Sequence, residues 1–251
     1  MPEPEIVVLP DADALAAQAA DRFVRLAQES IAERGRFTVA LSGGSTPEKM
    51  YVLLAGEGRK GKIAWDKVFC FECDERFVPQ DDERSNFGMT RHALLEPVGV
   101  LQSNWFPMPT PPAVTDLGVA AHRYTDTLST FFQAPRLDTP PVFDLILLGL
   151  GDDGHTASLF PGKPSLETRA AWVVGTPPGT LSPPVDRLTL TFPVINAARA
   201  VLFLAAGEKK ADALEAVLKN HVLPATHPAA GVQPTDGTLT YILDQAAAAK
   251  L

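Results

Sequence analysis

A histidine stands beside two acidic residues in the segment Gly149-Leu-Gly-Asp-Asp-Gly-His-Thr156, which follows an apolar run. Histidine suits proton transfer near neutral pH because its ordinary pKa is about 6.5. A neighbouring carboxylate can hold the ring in one tautomer, which makes the other ring nitrogen available as a base. The segment therefore predicts a proton-transfer site with His155 as the general base. Asp153 either fixes the imidazole or only shapes the turn.

The glycines of this segment match a second pattern. Gly149, Gly151 and Gly154 satisfy G-x-G-x-x-G, which binds dinucleotides when it joins a strand to a helix. Here the Pro-Gly pair at 161–162 stops any helix early, and no acidic residue ends the next predicted strand, 172–176, to hold a ribose. Titratable residues inside the turn would also hinder the approach of a pyrophosphate. The pattern therefore favours proton transfer over dinucleotide binding.

A second glycine-rich loop, Leu41-Ser-Gly-Gly-Ser-Thr-Pro47, also follows an apolar run and opens a predicted helix. Thr46 suits the N-cap and Pro47 the first helical position. Gly43 and Gly44 allow the backbone to approach a ligand closely. Because the N–H groups at a helix start are unpaired, the loop predicts an anion site, such as one for phosphate. A plain strand-to-helix turn is the alternative.

Charged residues stand at the ends of other predicted strands. Two Asp-Glu-Arg triplets, at 74–76 and 82–84, follow a third apolar run. Such carboxylates and arginines can orient sugar hydroxyls and bind phosphate, or they form a solvated loop. Arg187 begins a later strand, and Lys209 and Lys210 begin a helix. Lysines there oppose the helix dipole, so a bound anion would explain them, although surface lysines are the alternative.

Short apolar runs alternate with amphipathic stretches along the whole chain, and this alternation must position the loops. It predicts a doubly wound, mainly parallel sheet with ligands at the carboxyl ends of its strands. The proline-rich stretches 107–116 and 176–186 are expected to be solvated loops, with lids as the alternative. The predicted strands are 6–9, 37–41, 68–73, 143–148, 172–176, 187–192, 201–205 and 239–243. The predicted helices are 11–34, 47–54, 86–95, 117–132 and 208–220.

Composition limits the classes of partner. The chain has 251 residues, 45% of them hydrophobic, which suffices for one large α/β domain or two small ones. Its net charge of −8 counts against nucleic acid or an anionic membrane as a partner, since both need a basic face. It does not count against a phosphorylated small molecule. With no signal-peptide pattern and no apolar run of membrane length, a cytoplasmic location is predicted. The oligomeric state stays open, with a monomer favoured.

The histidines and cysteines give no sign of a metal centre. The five histidines show no metal-site spacing with cysteine, so neither a metal nor another cofactor is expected. Cys70 and Cys73 fall three apart in a predicted strand, where their side chains would face opposite sides. We interpret both as structural thiols.

The loops together resemble the 6-phosphogluconolactonase family, which is related to glucosamine-6-phosphate deaminases. The resemblance implies a single Rossmann-like α/β/α domain over residues 1–251. It also implies hydrolysis of 6-phosphoglucono-δ-lactone to 6-phosphogluconate in the oxidative pentose phosphate pathway. A further element, Leu223-Pro-Ala, matches the family and then departs from its usual continuation. The matching segments are 41–47, 74–79, 85–89, 149–162, 187–191, 207–211 and 239–244.

A deaminase is the main alternative. The corresponding deaminase loop resembles D-G-H-I-A-F-N-E-P-G, in which the Glu supports the His in ring opening. In this chain Asp153, Gly154 and His155 match, but Phe160 occupies the Glu position. The missing carboxylate argues against deamination, and Thr156-Ala-Ser-Leu-Phe160 is the lactonase form.

The resemblance also implies roles for the site residues. His155 would activate water for attack on the lactone carbonyl and return the proton to the ring oxygen. Arg76 would lie at either the phosphate or the carbonyl. Asp74 matches the enolising base of the deaminases and in a lactonase would bind sugar hydroxyls. The expected phosphate or oxyanion ligands are Arg187, Lys210, Ser42, Ser45, Thr46 and the backbone N–H groups around Gly43 and Gly44.

Overall fold

The computed structural model describes residues 3–134, 139–178 and 184–251. The strands in this part of the chain are β1 (Glu5–Leu9), β2 (Phe37–Leu41), β3 (Val68–Glu72), β4 (Asp74–Arg76), β5 (Trp105–Phe106), β6 (Leu145–Gly149), β7 (Val173–Thr176), β8 (Arg187–Leu190), β9 (Ala200–Ala205) and β10 (Thr238–Asp244). The helices are α1 (Ala12–Arg34), α2 (Ser45–Ala55), α3 (Glu57–Lys60), α4 (Asn86–Thr90), α5 (Glu96–Val98), α6 (Leu117–Phe132), α7 (Phe192–Ala197) and α8 (Ala211–Leu218). A π-helical stretch, Arg91–Leu95, joins α4 to α5, so the predicted helix 86–95 is continuous. Short 3₁₀ turns occur at Trp65–Lys67, Gln102–Asn104, Pro164–Glu167, Glu208–Lys210 and Pro228–Gly231.

The main sheet has the order β1-β10-β9-β6-β2-β3-β5, and every neighbouring pair is parallel. From β2 the chain adds β3 and β5 on one side, and it then adds β6, β9 and β10 on the other. The direction of winding therefore reverses between β2 and β6, which is the point where such sheets open a crevice for a ligand. The predicted doubly wound α/β fold is confirmed.

Apolar side chains cover both faces of the main sheet, which explains why its strands read as continuous apolar runs. Within β2, Phe37 and Val39 pack into the core under α1 and α2, whereas Ala40 packs into the core under α6 and α8. Cys70 and Cys73 divide between the same two cores, and both are free and buried. The cysteines therefore face opposite sides of the sheet, as predicted.

A small antiparallel sheet, β4-β8-β7, lies beside the carboxyl ends of the main strands. The predicted strands 172–176 and 187–192 belong to this sheet, so their assignment to the doubly wound sheet was wrong. The second of them also ends early, at Leu190, because Pro193 in the first turn of α7 starts a helix. The register of β4 with β8 sets Arg76 directly opposite Arg187.

Of the two proline-rich stretches, 107–116 is not the plain solvated loop that we predicted. Residues 107–116 form no helix or strand, but Met108 and Val114 are buried in the core, so this stretch packs against the domain. The stretch 176–186 includes 179–183, which lie outside the described residues. No helix in the described part of the chain is long and apolar enough to cross a membrane.

Candidate active site

A cavity of about 320 Å³ opens where the winding of the main sheet reverses. The loops that follow β2, β6 and β9 form one side of it, and the small sheet forms the other. The structure brings together all of the predicted site residues except Asp153, which lies behind His155. The predicted residues that line the cavity are Ser42, Gly43, Gly44, Ser45, Thr46, Asp74, Arg76, His155, Arg187 and Lys210.

His155 and Asp153 form a close pair. The Asp153 carboxylate lies 2.5 Å from the His155 Nδ1 and accepts a hydrogen bond from the His155 backbone N–H at 3.1 Å. Partial burial raises the pKa of Asp153, but its hydrogen bonds and charge interaction with His155 outweigh burial and hold that pKa below its ordinary value. Asp153 is therefore ionised and fixes the ring with Nδ1 as the protonated nitrogen. Asp153 contacts only Nδ1, so the other ring nitrogen, Nε2, is not engaged by this carboxylate.

The glycines of this segment serve the turn that carries the histidine. The Gly151 N–H donates to the His155 carbonyl at 2.8 Å, and Gly154 adopts a φ of +78°, which favours glycine. A Cβ on Gly151 would lie 2.0 Å from the His155 Nδ1, so the ring occupies the space that a side chain would need. Gly151 and Gly154 are thus accounted for by a tight turn packed against the imidazole, whereas Gly149 has open space at its Cβ position.

The loop after β2 turns into α2 earlier than its sequence suggests. The helix begins at Ser45 with Gly44 as its N-cap, so the predicted N-cap at Thr46 and the predicted first helical position of Pro47 were wrong. Gly44 has a φ of +108°, a conformation that lets the chain turn one residue before a side-chain cap is reached. No side chain caps this helix start, so its free N–H groups face the cavity as candidate anion donors.

Asp74 is held by a serine that the sequence did not single out. The Ser158 Oγ–H donates to the Asp74 Oδ2 at 2.6 Å, and the Ser158 N–H donates to the Thr189 Oγ1 at 3.1 Å. The Asn86 Nδ2 donates to the Asp74 backbone carbonyl at 2.9 Å. Ser158 and Asn86 both line the cavity. Two features of the sequence could have indicated them: Ser158 is three residues after His155, and Asn86 lies inside the Ser85-Asn-Phe motif.

Arg76 and Arg187 place two positive charges side by side. The Arg76 Nη1 donates to the Arg84 carbonyl at 2.7 Å, while the Arg76 Nε is buried without a partner. Burial lowers the pKa of Arg187, the charge of Arg76 lowers it further, and the charges of Asp74 and Glu75 act the other way. Both guanidinium groups stay charged because the ordinary pKa of arginine is far above neutrality. Like charges opposite each other are unfavourable, so this end of the cavity favours an anion.

The second Asp-Glu-Arg triplet lies outside the cavity. The Arg84 side chain bonds to the Asp82 carboxylate at 2.6 and 2.8 Å and lowers the pKa of Asp82 to about 2. Its contribution to the site is indirect, through the Arg84 carbonyl that holds Arg76. Lys210, which also lines the cavity, forms an ion pair of 2.6 Å with Asp152, whereas Lys209 is exposed and does not line the cavity.

Metal ligands are not clustered here. In residues 3–134, 139–178 and 184–251, no group of three or more His, Cys, Asp or Glu side chains is placed so that it could hold a metal ion.

The close contact of Gly43 with Asn86 gives a test of the site's packing. A Cβ on Gly43 would come within 1.8 Å of the Asn86 Oδ1, so we expect Gly43→Ala to lower the free energy of unfolding by about 1–3 kcal/mol. Gly58→Ala is the matched control, because Gly58 is exposed in α3 with no atom within 4 Å of its Cβ position. Urea unfolding measures both, and equal stability of the two variants would contradict the contact.

Comparisons with known proteins identify the family of this chain. A family model described as glucosamine-6-phosphate isomerases/6-phosphogluconolactonase matches residues 10–241. The 6-phosphogluconolactonase of Synechocystis sp. is 44% identical over 224 residues, which are 89% of this chain and 88% of that protein. The 6-phosphogluconolactonase of Rattus norvegicus is 42% identical over 86% of this chain and 80% of its own length. The solved structure of 6-phosphogluconolactonase from Trypanosoma cruzi superimposes with a TM-score of 0.87 at 31% identity and covers 99% of this chain and 97% of that chain. The chain belongs to the glucosamine-6-phosphate isomerase/6-phosphogluconolactonase family.

Proposed function

We propose that this chain hydrolyses 6-phosphoglucono-δ-lactone to 6-phosphogluconate, the lactone-opening step of the oxidative pentose phosphate pathway. The observation that carries the proposal is the His155–Asp153 pair at the wall of a cavity that also holds two adjacent arginines. A base and an anion site in one cavity are what a phosphorylated lactone needs. The names of the relatives support the same substrate.

His155 is the general base of the reaction. Its Nδ1 is engaged by Asp153, so Nε2 takes a proton from water as the oxygen attacks the lactone carbonyl carbon. When the tetrahedral intermediate collapses, the bond from the carbonyl carbon to the ring oxygen breaks. The proton on Nε2 then passes to that ring oxygen, which becomes the hydroxyl of the open-chain acid. Asp153 stays ionised throughout and stabilises the imidazolium that forms between the two steps.

The cations and the glycine loop bind the negative groups of the substrate. Arg187, with Lys210 and the N–H groups at the start of α2, holds the phosphate. Arg76 carries an unpartnered, buried Nε and lies opposite Arg187, so it serves either the phosphate or the carbonyl oxygen. The N–H groups around Gly43 and Gly44 bind the other of these two groups: the carbonyl oxygen if Arg76 binds the phosphate, and the phosphate if Arg76 binds the carbonyl oxygen.

Asp74 binds the sugar hydroxyls. Ser158 occupies its Oδ2, which leaves the Oδ1 to accept a hydrogen bond from the substrate. A carboxylate held in this way would be the enolising base in a deaminase. The side chain that would support ring opening is missing, because the buried ring of Phe160 lies 4.9 Å from the His155 ring in the place of a carboxylate.

The proposal is tested by mixing the protein with freshly generated 6-phosphogluconolactone and following loss of the lactone against its spontaneous rate. Glucosamine 6-phosphate is assayed in parallel for ammonia release. We expect acceleration of the first reaction and none of the second. Ammonia release alone would replace the proposal with a deaminase, and binding without either reaction would replace it with a sugar-phosphate-binding module.

Removal of the proposed base tests the role of His155. We expect His155→Ala to lower kcat by about 10²–10⁴-fold, because that is the usual contribution of a positioned acid or base. Asp153→Asn should also lower kcat, since an amide can donate to Nδ1 and favours the wrong tautomer. His122→Ala is the control, because His122 is exposed on α6 and does not line the cavity. Near-normal turnover by folded His155→Ala would remove His155 as the base.

Removal of the cations tests the proposed phosphate site. We expect Arg187→Ala and Lys210→Ala each to raise KM for the lactone by about tenfold or more, because each deletes a charge-assisted hydrogen bond to the phosphate. Lys209→Ala is the matched control for Lys210, since it removes the same charge from the adjacent, exposed position. Steady-state kinetics measures all three variants. An unchanged KM in either of the first two would exclude that residue from the phosphate site.

A further inference from the structure

Two glutamates lie buried side by side behind the cavity and take no part in the steps above. Glu72 ends β3 and Glu75 lies in the middle of β4, with 5% and 1% of their surfaces exposed. Glu72 interacts with Glu75 through its charge and its side chain, and both interactions raise the pKa of Glu72. Two carboxylates in contact cannot both be ionised away from water, so the pair must hold a proton.

Burial raises the pKa of Glu75, but its hydrogen bonds lower that pKa and so make Glu75 the more readily ionised partner of the pair. Its Oε1 accepts from the backbone N–H groups of Arg76 at 2.6 Å and Asn86 at 2.7 Å. Its Oε2 accepts from the Ser85 hydroxyl and the Phe87 backbone N–H, both at 2.8 Å. Four donors converge on its two oxygens, and such an arrangement stabilises the charged form of a carboxyl group.

Glu72 is the partner that carries the proton. Its Oε2 accepts one hydrogen bond, from the Met108 backbone N–H, and its Oε1 has no donor within reach. An Oε1–H that donates to Glu75 satisfies both carboxyl groups, as in other sites that keep a carboxylic acid neutral. Burial raises the pKa of Glu72 well above its ordinary value, and the charge of Glu75 raises it further.

The other groups around the pair are consistent with one shared proton. From α6, the Tyr124 hydroxyl accepts from the Glu72 N–H and donates to the Phe106 carbonyl, so neither of its bonds supplies a charge. Asp74, the residue before Glu75, adds a negative charge that disfavours ionisation of Glu72. Arg187 on β8 interacts with Glu75, which favours the ionised form of that glutamate.

We propose that Glu75 is a positioning residue that fixes Arg76 and Asn86 for the substrate, and that Glu72 supports it as a neutral carboxylic acid. One oxygen of Glu75 joins the backbone of β4 at Arg76 to the start of α4 at Asn86. Asn86 in turn bonds to the Asp74 carbonyl, so a shift of α4 moves both substrate-facing residues of β4. The importance of this positioning for substrate binding rests on the function proposed above.

Kinetics of two isosteric variants tests the positioning role. In Glu75→Gln an amide NH₂ group replaces one of the carboxylate oxygens and faces hydrogen-bond donors that it cannot accept from. We therefore expect KM for the lactone to rise by about tenfold while kcat changes less. Glu72→Gln keeps a neutral donor towards Glu75 and an acceptor for Met108, so we expect its KM and kcat to stay within about twofold of the unmodified chain. Equal KM values for the two variants, or a fall in kcat alone in Glu75→Gln, would overturn the positioning role.

The pH dependence of unfolding tests the proton on Glu72 without any assay of activity. The folded chain keeps this proton above pH 4.5, whereas the unfolded chain releases it there, so the stabilisation present below pH 4.5 is lost progressively as the pH rises. Glu72→Gln has no such proton. We therefore expect the unfolding constant of the unmodified chain, relative to that of Glu72→Gln, to rise about tenfold from pH 5 to pH 6.

The outcomes separate this inference from the proposed function. A constant ratio of the two unfolding constants between pH 5 and pH 6 would overturn the protonated Glu72, even if the lactone is hydrolysed. If Glu75→Gln does not fold, this comparison of Glu72→Gln with the unmodified chain still tests the protonated Glu72. An unmodified chain that hydrolyses no lactone would remove the proposed function, while the pH profile would still report on the pair.

Discussion

The parallel pairing of β2 with β6 is the constraint on which the site depends. The chain winds outward in both directions from these two strands, so no crossover helix covers the place where their carboxyl ends meet. The glycine loop after β2 and the histidine turn after β6 are therefore forced to face each other, although more than a hundred residues separate them in sequence. Both strands are mostly apolar and are buried on both faces. This burial fixes their register, and the register in turn fixes where each loop begins at the edge of the sheet.

The small sheet beside this crevice carries a set of buried and partly buried charges that must balance one another. The chain carries a net charge of −8, yet β4 and β8 place Arg76 and Arg187 opposite each other in a largely buried position. Two adjacent guanidinium groups repel each other, and the carboxylates of Asp74 and Glu75 on the same strand offset that repulsion. Those acids must themselves be satisfied, by Ser158 and by the donors at the start of α4. The positive end of the cavity thus belongs to a network in which the buried carboxylates of β4 accept hydrogen bonds from neighbouring donors.

The sequence predicted the parts of this protein that depend on local pattern. Apolar runs located the main strands, and the loops after them supplied the residues that line the cavity, because the ends of parallel strands converge by geometry alone. It did not predict the antiparallel sheet, since three-residue strands such as β4 are too short to show a period. Nor did it predict the N-cap at Gly44, where a backbone conformation rather than a side chain ends the loop. Ser158 and the pair of Glu72 with Glu75 act through contacts across the fold, which spacing along the chain does not reveal.

The histidine turn shows why a glycine pattern alone does not define a ligand. The spacing of Gly149, Gly151 and Gly154 allows close approach, but what approaches Gly151 is the His155 ring, and Gly154 borders His227 instead of a pyrophosphate. The same turn then determines the chemistry, because it presses His155 against Asp153 on one side and Phe160 on the other. An imidazole with one carboxylate and one apolar neighbour has a single fixed partner for its proton on Nδ1. Under the function proposed here, its other nitrogen would exchange a proton with water and then with a leaving oxygen, which is the sequence of transfers that opening of a lactone requires.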